Sequence, residues 1–196
     1  MKPHKILAAA ALLALASTPS FAQQNTNIRG LISSFDGKTL AVETFEGRKL
    51  SITAPPDLRV ATTKPFTLAD IKPGMKLGVT TVKRADGATI AIDIRPLAAT
   101  TNEGLSAWDL RPGSTMTNAT VEATVSSTEG PELTLNYKTG VVKVIVPPEA
   151  AMSQAVPGAL SDLKAGETIF LVAKDEGGQL TALRAQVSKD GVKPTQ

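Results

Sequence analysis

The chain contains no cysteine among its 196 residues, and its single histidine is His4. Without cysteine the fold has neither a disulfide framework nor a thiol nucleophile. We expect His4 to be removed with a leader, which excludes Ser-His-Asp and Cys-His pairs and tetrahedral zinc sites from the mature chain. The sequence also lacks the GxGxxG and GxxxxGK[ST] patterns of nucleotide-binding loops. We therefore predict no catalytic residues, no metal site and no cofactor, and a chain that is not an enzyme.

Long apolar runs are also scarce, and the one that is present lies at the N-terminus. Lys2 and Lys5 flank its start, and a small-x-small cleavage site follows at 20–22. The run has about half of the ~20 apolar residues that cross a bilayer. We predict a secretory signal peptide at 1–22 with cleavage near Ala22-Gln23. The mature protein is then expected to be periplasmic or secreted, without membrane insertion.

An excess of charge of one sign is absent from the predicted mature chain. The two lysines of the signal peptide reduce the formal charge from +3 to +1. The basic pairs Arg48-Lys49 and Lys83-Arg84 are interleaved with acidic residues. This pattern indicates a solvated surface and not a phosphate-binding stripe. We expect no nucleic-acid partner.

Internal similarity is the strongest feature that the sequence does contain. Three segments recur in the same order with offsets of 92 or 93 residues. They are 32–37 with 125–130, 55–57 with 147–149, and 68–74 with 160–166. The sequence therefore predicts one repeat at 28–96 and a second at 119–190. An inter-repeat strap at 97–118 joins them, and 191–196 form a flexible tail.

Both repeats have the periodicity of strands. Ile90, Ile92 and Ile94 alternate with less apolar residues, as in a half-buried strand. Turn residues such as Asp36-Gly37 separate the runs. Each repeat is predicted to form three strands, a connection that begins with Pro-Pro, and two further strands. We therefore predict an all-β fold of two tandem five-stranded OB-like barrels, with SH3-like barrels as the alternative.

The segment from Trp108 to Ala119 reads WDLRPGSTMTNA. It resembles a family of secreted bacterial proteins, classed as a domain of unknown function, in which a WDLxPxSTMTNA segment joins two β repeats. The resemblance extends through LADIKPG at 68–74 and VPPE at 146–149. It implies a periplasmic β-rich protein and no established reaction.

The strap also holds the candidate contact residues for a ligand or partner: Trp108, Asp109, Arg111 and Asn118. Trp108, the only tryptophan, is either a stacking platform for a sugar ring or a wedge between the barrels. As a wedge it would donate its indole N–H to a nearby carbonyl. We expect the wedge, with the other three residues holding the strap in place.

Two further groups of residues suggest chemistry but have simpler explanations. Met75, Met116 and Met152 are soft ligands of the kind that Cu(I) prefers, although single methionines commonly fill cores. Asp70 and Asp162 resemble a carboxylate pair, although their equivalent places in the repeats indicate a repeated turn. We expect core packing and turn chemistry, respectively.

Together these observations predict a non-enzymatic periplasmic binding or adaptor protein that acts through tandem OB-like modules. Its expected partner is a periplasmic protein or a cell-wall glycan. The alternative is an accessory component of a periplasmic transport system that handles a small solute or a metal ion.

Overall fold

The computed structural model describes residues 24–195, and within them the chain is all-β, as predicted. The predicted signal peptide at 1–22 lies outside the described residues. The strands are β1 Gln24–Phe35, β2 Thr39–Thr44, β3 Lys49–Thr53, β4 Arg59–Pro65, β5 Lys76–Lys83, β6 Thr89–Pro96, β7 Gly104–Ala107, β8 Thr115–Ser127, β9 Gly130–Tyr137, β10 Gly140–Ile145, β11 Ala151–Pro157, β12 Thr168–Glu176 and β13 Gln179–Val187. Over residues 24–195, no helix has the length and apolar character needed to cross a bilayer.

The connections within the repeats contain strands that the sequence did not predict. β4 and β11 follow the Pro-Pro turns and pair with each other in antiparallel fashion. Two of the three buried positions of β4, Thr62 and Thr63, are polar and only Val60 is apolar, so its hydrophobic alternation is weak. The expected turn after β4 is present as the 3-10 turn Leu68–Asp70, and its counterpart Leu160–Asp162 follows β11.

The strand pairing crosses the boundary between the repeats. One circuit of hydrogen-bonded strands runs β1-β2-β3-β13-β12 and back to β1, and the other runs β8-β9-β10-β6-β5 and back to β8. Each circuit thus takes three strands from one repeat and two from the other. The β4–β11 pair links the circuits into one continuous 13-stranded sheet. Two separate tandem barrels, each built from one repeat, are not confirmed.

Two hydrophobic cores follow the same division. The first packs Ile28 and Leu40 of the first repeat against Leu171 and Val187 of the second. The second core packs residues of β5 and β6 against residues of β8, β9 and β10, among them Leu77, Ile94, Leu133 and Val144. Neither core is complete without strands from both repeats.

The register of the sheet corrects one of the three sequence matches between the repeats. The N–H of Ile32 donates to the carbonyl of Glu167 at 2.9 Å, and in the other circuit Val121 donates to Met75 at 2.8 Å. Val121, and not Val125, is therefore the structural equivalent of Ile32. Val125 is 49% exposed, whereas Ile32 and Val121 are at most 2% exposed. The β8–β9 hairpin extends further from the core than the β1–β2 hairpin does. The similar turn sequences therefore align Ile32 with Val125, four residues after its structural equivalent Val121.

Candidate functional site

A cleft of about 720 Å³ crosses the four central strands of the sheet, β6, β11, β4 and β13. It lies where the strands of the two repeats meet, because β4 and β11 join the circuits there. Its charged, amide and aromatic lining residues include Arg59 of β4, Arg95 of β6, Trp108 of the strap, Asn118 of β8, Phe170 of β12 and Arg184 of β13. A cleft of this size is in the range of small-molecule sites.

Three arginines line the cleft and no aspartate or glutamate does. Arg59 and Arg184 are register partners on the parallel strands β4 and β13. Neither forms an ion pair with a residue that the structure describes. Desolvation and the charge of Arg59 both lower the pKa of Arg184. Like charges on adjacent strands repel each other, so this pair favours an anion in the cleft.

The third arginine, Arg95, has a buried partner on its own strand. Its Nη1 lies 3.2 Å from Oδ1 of Asp93, and the two side chains are 12% and 2% exposed. Burial raises the pKa of Asp93 to about 6 although Arg95 opposes the shift. Burial also lowers the pKa of Arg95, with Asp93 opposing. Oδ2 of Asp93 has no hydrogen-bond partner among the described residues.

The cleft is asymmetric because equivalent positions of the two circuits carry different residues. Two rows of neighbouring residues across the sheet correspond in register: Asn118, Gly78 and Arg95 in one circuit, and Arg29, Phe170 and Gln186 in the other. A Cβ at Gly78 would lie 3.2 Å from Cζ of Arg95, so the missing side chain leaves room for the guanidinium. At the equivalent place the ring of Phe170 stands next to the neutral Gln186. The circuit that contains β6 thus places the guanidinium of Arg95 in the cleft, and the circuit that contains β12 places the ring of Phe170 there.

The strap places Trp108 in the wall of the cleft. It forms a hairpin with β8: Trp108 N–H donates to the carbonyl of Ser114 at 2.9 Å, and the Ser114 hydroxyl lies within 3 Å of the carbonyls of Trp108 and Arg111. The indole itself is half-buried. Its Nε1 is buried and has no acceptor among the described residues, so the expected hydrogen bond to a carbonyl is not formed.

Asp109 connects the strap to β1. Its carboxylate accepts hydrogen bonds from Arg29 at 2.7 Å and from Asn27 at 3.1 Å. Burial opposes ionisation of Asp109, but these two hydrogen bonds outweigh it and lower the pKa. The guanidinium of Arg29 in turn lies 5.2 Å from the ring centroid of Phe170, and that of Arg184 lies 5.8 Å from it. Asp109 therefore supports the Phe170 wall from outside the cleft.

The four residues predicted from the strap are thus not one site. Trp108 and Asn118 line the cleft, and Oδ1 of Asn118 is buried without a hydrogen-bond partner among the described residues. Asp109 does not line the cleft; it binds Arg29, whose guanidinium lies against the ring of Phe170. Arg111 is exposed and does not line the cleft.

The other sequence candidates lie elsewhere or serve the fold. Met75 and Met152 pack against the second core, whereas Met116 lines the cleft. The residues that the structure describes include no group of three His, Cys, Asp or Glu side chains that could hold a metal ion. Asp70 and Asp162 each accept a backbone N–H at 2.9 Å in their 3-10 turns, which confirms the repeated turn chemistry.

Sequence reasoning missed the residues that give the cleft its charge: Arg59, Arg95 and Arg184. Arg59 and Arg184 lie 125 positions apart in the chain and become neighbours only through the β4–β13 pairing. No local pattern in the sequence connects them.

Comparison of this chain with protein families, curated proteins and solved structures finds no match. The resemblance to the secreted bacterial family therefore stays a prediction. A proposal about function therefore depends on the cleft and on the arginines that line it.

Proposed function

We propose that this chain is a non-enzymatic periplasmic binding protein whose cleft takes a small anionic molecule. The observation that carries the proposal is the Arg59–Arg184 register pair, which lines the cleft without a countercharge from the described residues. An anion between the two guanidinium groups replaces their repulsion with charge-assisted hydrogen bonds. The lining thus gains stability when an anion binds, which is the property of a binding site.

We also propose that the two five-stranded circuits are OB-like barrels. Each circuit has five strands, and a 3-10 turn precedes the strands that each repeat contributes to the other circuit. In this description the ligand lies between the barrels, whereas OB-folds typically bind ligands on one sheet face and its rim loops.

A second candidate is an accessory component of a periplasmic transport system. It shares the cleft with the first candidate and differs in its partner, which receives the solute. Within this candidate, the three lining arginines favour an anionic solute over a metal cation. A cell-wall glycan or a periplasmic protein remains the proposed partner for surfaces outside the cleft.

Intrinsic fluorescence of the mature chain tests the proposal, because Trp108 is the only tryptophan and it lines the cleft. We expect small organic anions to change the emission in a saturable manner and to raise Tm. A ligand at 100 times its Kd adds about 2.7 kcal/mol to the free energy of unfolding.

The variant Arg59→Gln/Arg184→Gln should lose this response, while Arg111→Gln, which changes an exposed arginine of the strap, should keep it. A library of anions that changes neither the emission nor Tm would exclude the proposed function.

A further inference from the structure

We infer that the ligand is an organic dianion with a planar, apolar body, held by Arg59 and Arg184 at its charged end and by Trp108 along its body. This inference rests on the proposed function and specifies the chemical class of the ligand. It follows from the charge balance of the cleft, the placement of its charges and the composition of its remaining surface.

The charge balance of the cleft favours two negative charges on the ligand. Of the three lining arginines, Arg95 is paired with Asp93 at 3.2 Å and carries its own countercharge. Arg59 and Arg184 have no such partner among the described residues. A monoanion would leave one of the two uncompensated next to its neighbour, whereas a dianion neutralises both.

Arg59 and Arg184, which form no ion pair with a described residue, stand at adjacent positions in the sheet. Arg59 and Arg184 are register partners on neighbouring strands, and neighbouring strands are about 4.8 Å apart. Two arginines whose backbones are this close can bring their guanidinium groups together on one phosphoryl group or on two adjacent carboxylates. The ring of Phe170, 5.8 Å from the guanidinium carbon of Arg184, restricts the positions that this side chain samples.

The rest of the cleft suits an apolar body. Its volume of about 720 Å³ exceeds what an inorganic anion fills. Trp108, Met116, Leu97 and Pro96 supply apolar lining beside Arg95. An indole face binds flat rings by stacking, so the body of the ligand is expected to be planar.

The test is a titration of the mature protein with a matched set of probes at pH 7.5 and constant ionic strength. Benzene-1,3-disulfonate and phenyl phosphate are dianions with a planar body, and benzenesulfonate has the body with one charge. Sulfate has two charges without the body, and benzenesulfonamide is the neutral analogue. Trp108 fluorescence and calorimetry give Kd for each probe.

We expect at least one of the two aromatic dianions to bind at least tenfold more tightly than benzenesulfonate and sulfate. Stronger binding of phenyl phosphate indicates a phosphomonoester, and stronger binding of the disulfonate indicates two separate acidic groups. Arg59→Gln and Arg184→Gln should each weaken dianion binding at least tenfold and remove most of the preference over the monoanion. Arg111→Gln should change Kd less than twofold. Arg59 and Arg184 are both exposed, so circular dichroism should show folded variants.

The outcomes separate this inference from the proposed function. If benzenesulfonate binds as tightly as the dianions, or sulfate as tightly as the aromatic probes, the dianion or the planar body is wrong while an anion-binding function stands. If only the neutral sulfonamide binds, or if no probe binds, both the inference and the proposed function fail.

Discussion

At the scale of single residues, three buried polar atoms at the cleft or close to it have no hydrogen-bond partner among residues 24–195. They are Nε1 of Trp108, Oδ1 of Asn118 and Oδ2 of Asp93, whose other carboxylate oxygen is paired with Arg95. A buried donor without an acceptor costs about 1–3 kcal/mol. These polar atoms therefore oppose stability although the rest of each side chain packs, and substitutions can separate the two effects.

We expect Trp108 to stabilise the fold by packing alone. Removal of its indole N–H should therefore leave the free energy of unfolding almost unchanged. Because the indole is half-buried, Trp108→Ala should lower the free energy of unfolding by about 2 kcal/mol, below the ~3–5 kcal/mol of a fully buried aromatic residue. Trp108→Phe keeps a ring without the unpartnered donor and should stay within about 0.5 kcal/mol of the wild type. Urea denaturation followed by circular dichroism measures both. A loss in Trp108→Phe as large as the one expected for Trp108→Ala would contradict an N–H without a partner.

Asp93 is expected to make stability fall as pH rises. Burial raises its pKa from 3.8 to about 6 in the folded protein, so between these values the folded state binds more protons than the unfolded state. The stability that this group contributes is full below pH 4 and is lost as pH rises through 6, a change of roughly 3 kcal/mol. Asp93→Asn cannot ionise and should lack this change.

The measurement is the difference in free energy of unfolding between Asp93→Asn and the wild type at pH 4 and pH 7. It should shift by roughly 2.5 kcal/mol in favour of the variant at the higher pH. Using the difference cancels the other carboxylates, such as Asp86, whose pKa is lowered to about 2 by Arg84. A difference that does not vary with pH would contradict the raised pKa of Asp93.

At the scale of elements, β1 is one of the strands through which the two repeats pair with each other. It pairs with β2 of its own repeat and with β12 of the other. At Gly30, a Cβ would lie 2.2 Å from the carbonyl oxygen of Glu43 and 2.8 Å from Cα of Thr44. The close approach of β2 to β1 thus requires glycine at this position.

Gly30→Ala should therefore cost about 3 kcal/mol, because backbone atoms must move to accept the methyl group. Gly104→Ala is the matched control, since Gly104 also lies in a strand, β7, and has no atom within 4 Å of an added Cβ. We expect the control to stay within about 0.5 kcal/mol of the wild type. Thermal and urea denaturation of both variants measure these changes in the free energy of unfolding. Similar stability of the two variants would mean that β1 and β2 lie further apart than the structure shows.

At the scale of the whole molecule, the two repeats complete each other. Each core takes side chains from both repeats, and β4 and β11 pair across the centre. Thr195, near the C-terminus, also packs against this assembly. Residues 191–196 were predicted to be a flexible tail, and within them Thr195 is buried and lies 3.2 Å from the hydroxyl of Ser153 in β11.

Separation of the repeats should therefore abolish folding. Fragments 24–98 and 99–195 divide the chain between β6 and β7 and leave both cores incomplete. We expect neither fragment alone to unfold cooperatively as a monomer, and an equimolar mixture to recover a cooperative thermal transition. Circular dichroism and size-exclusion chromatography measure this. A monomeric fragment with a sigmoidal melt would show that one repeat is sufficient for a core.

The sequence by itself determined most of the strands and their turns, because these depend on neighbouring residues. Alternation such as Ile90, Ile92 and Ile94 places one face of a strand against a core, whichever strands complete that core. The paired turns at Asp70 and Asp162 are equally local. For the same reason β4 was not predicted, since its buried threonines give no apolar pattern.

Only the tertiary structure decided which strands pair and what lines the cleft. The two repeats present nearly the same pattern to a neighbouring strand, so backbone hydrogen bonds and apolar alternation are satisfied equally well by a strand of either repeat. The exchange brings Arg59 next to Arg184, and the cleft that it forms is lined by Trp108 and not by Arg111. The charge of the site therefore arises from contacts between residues far apart in the chain, and these are fixed by the packing of two cores that neither repeat forms alone.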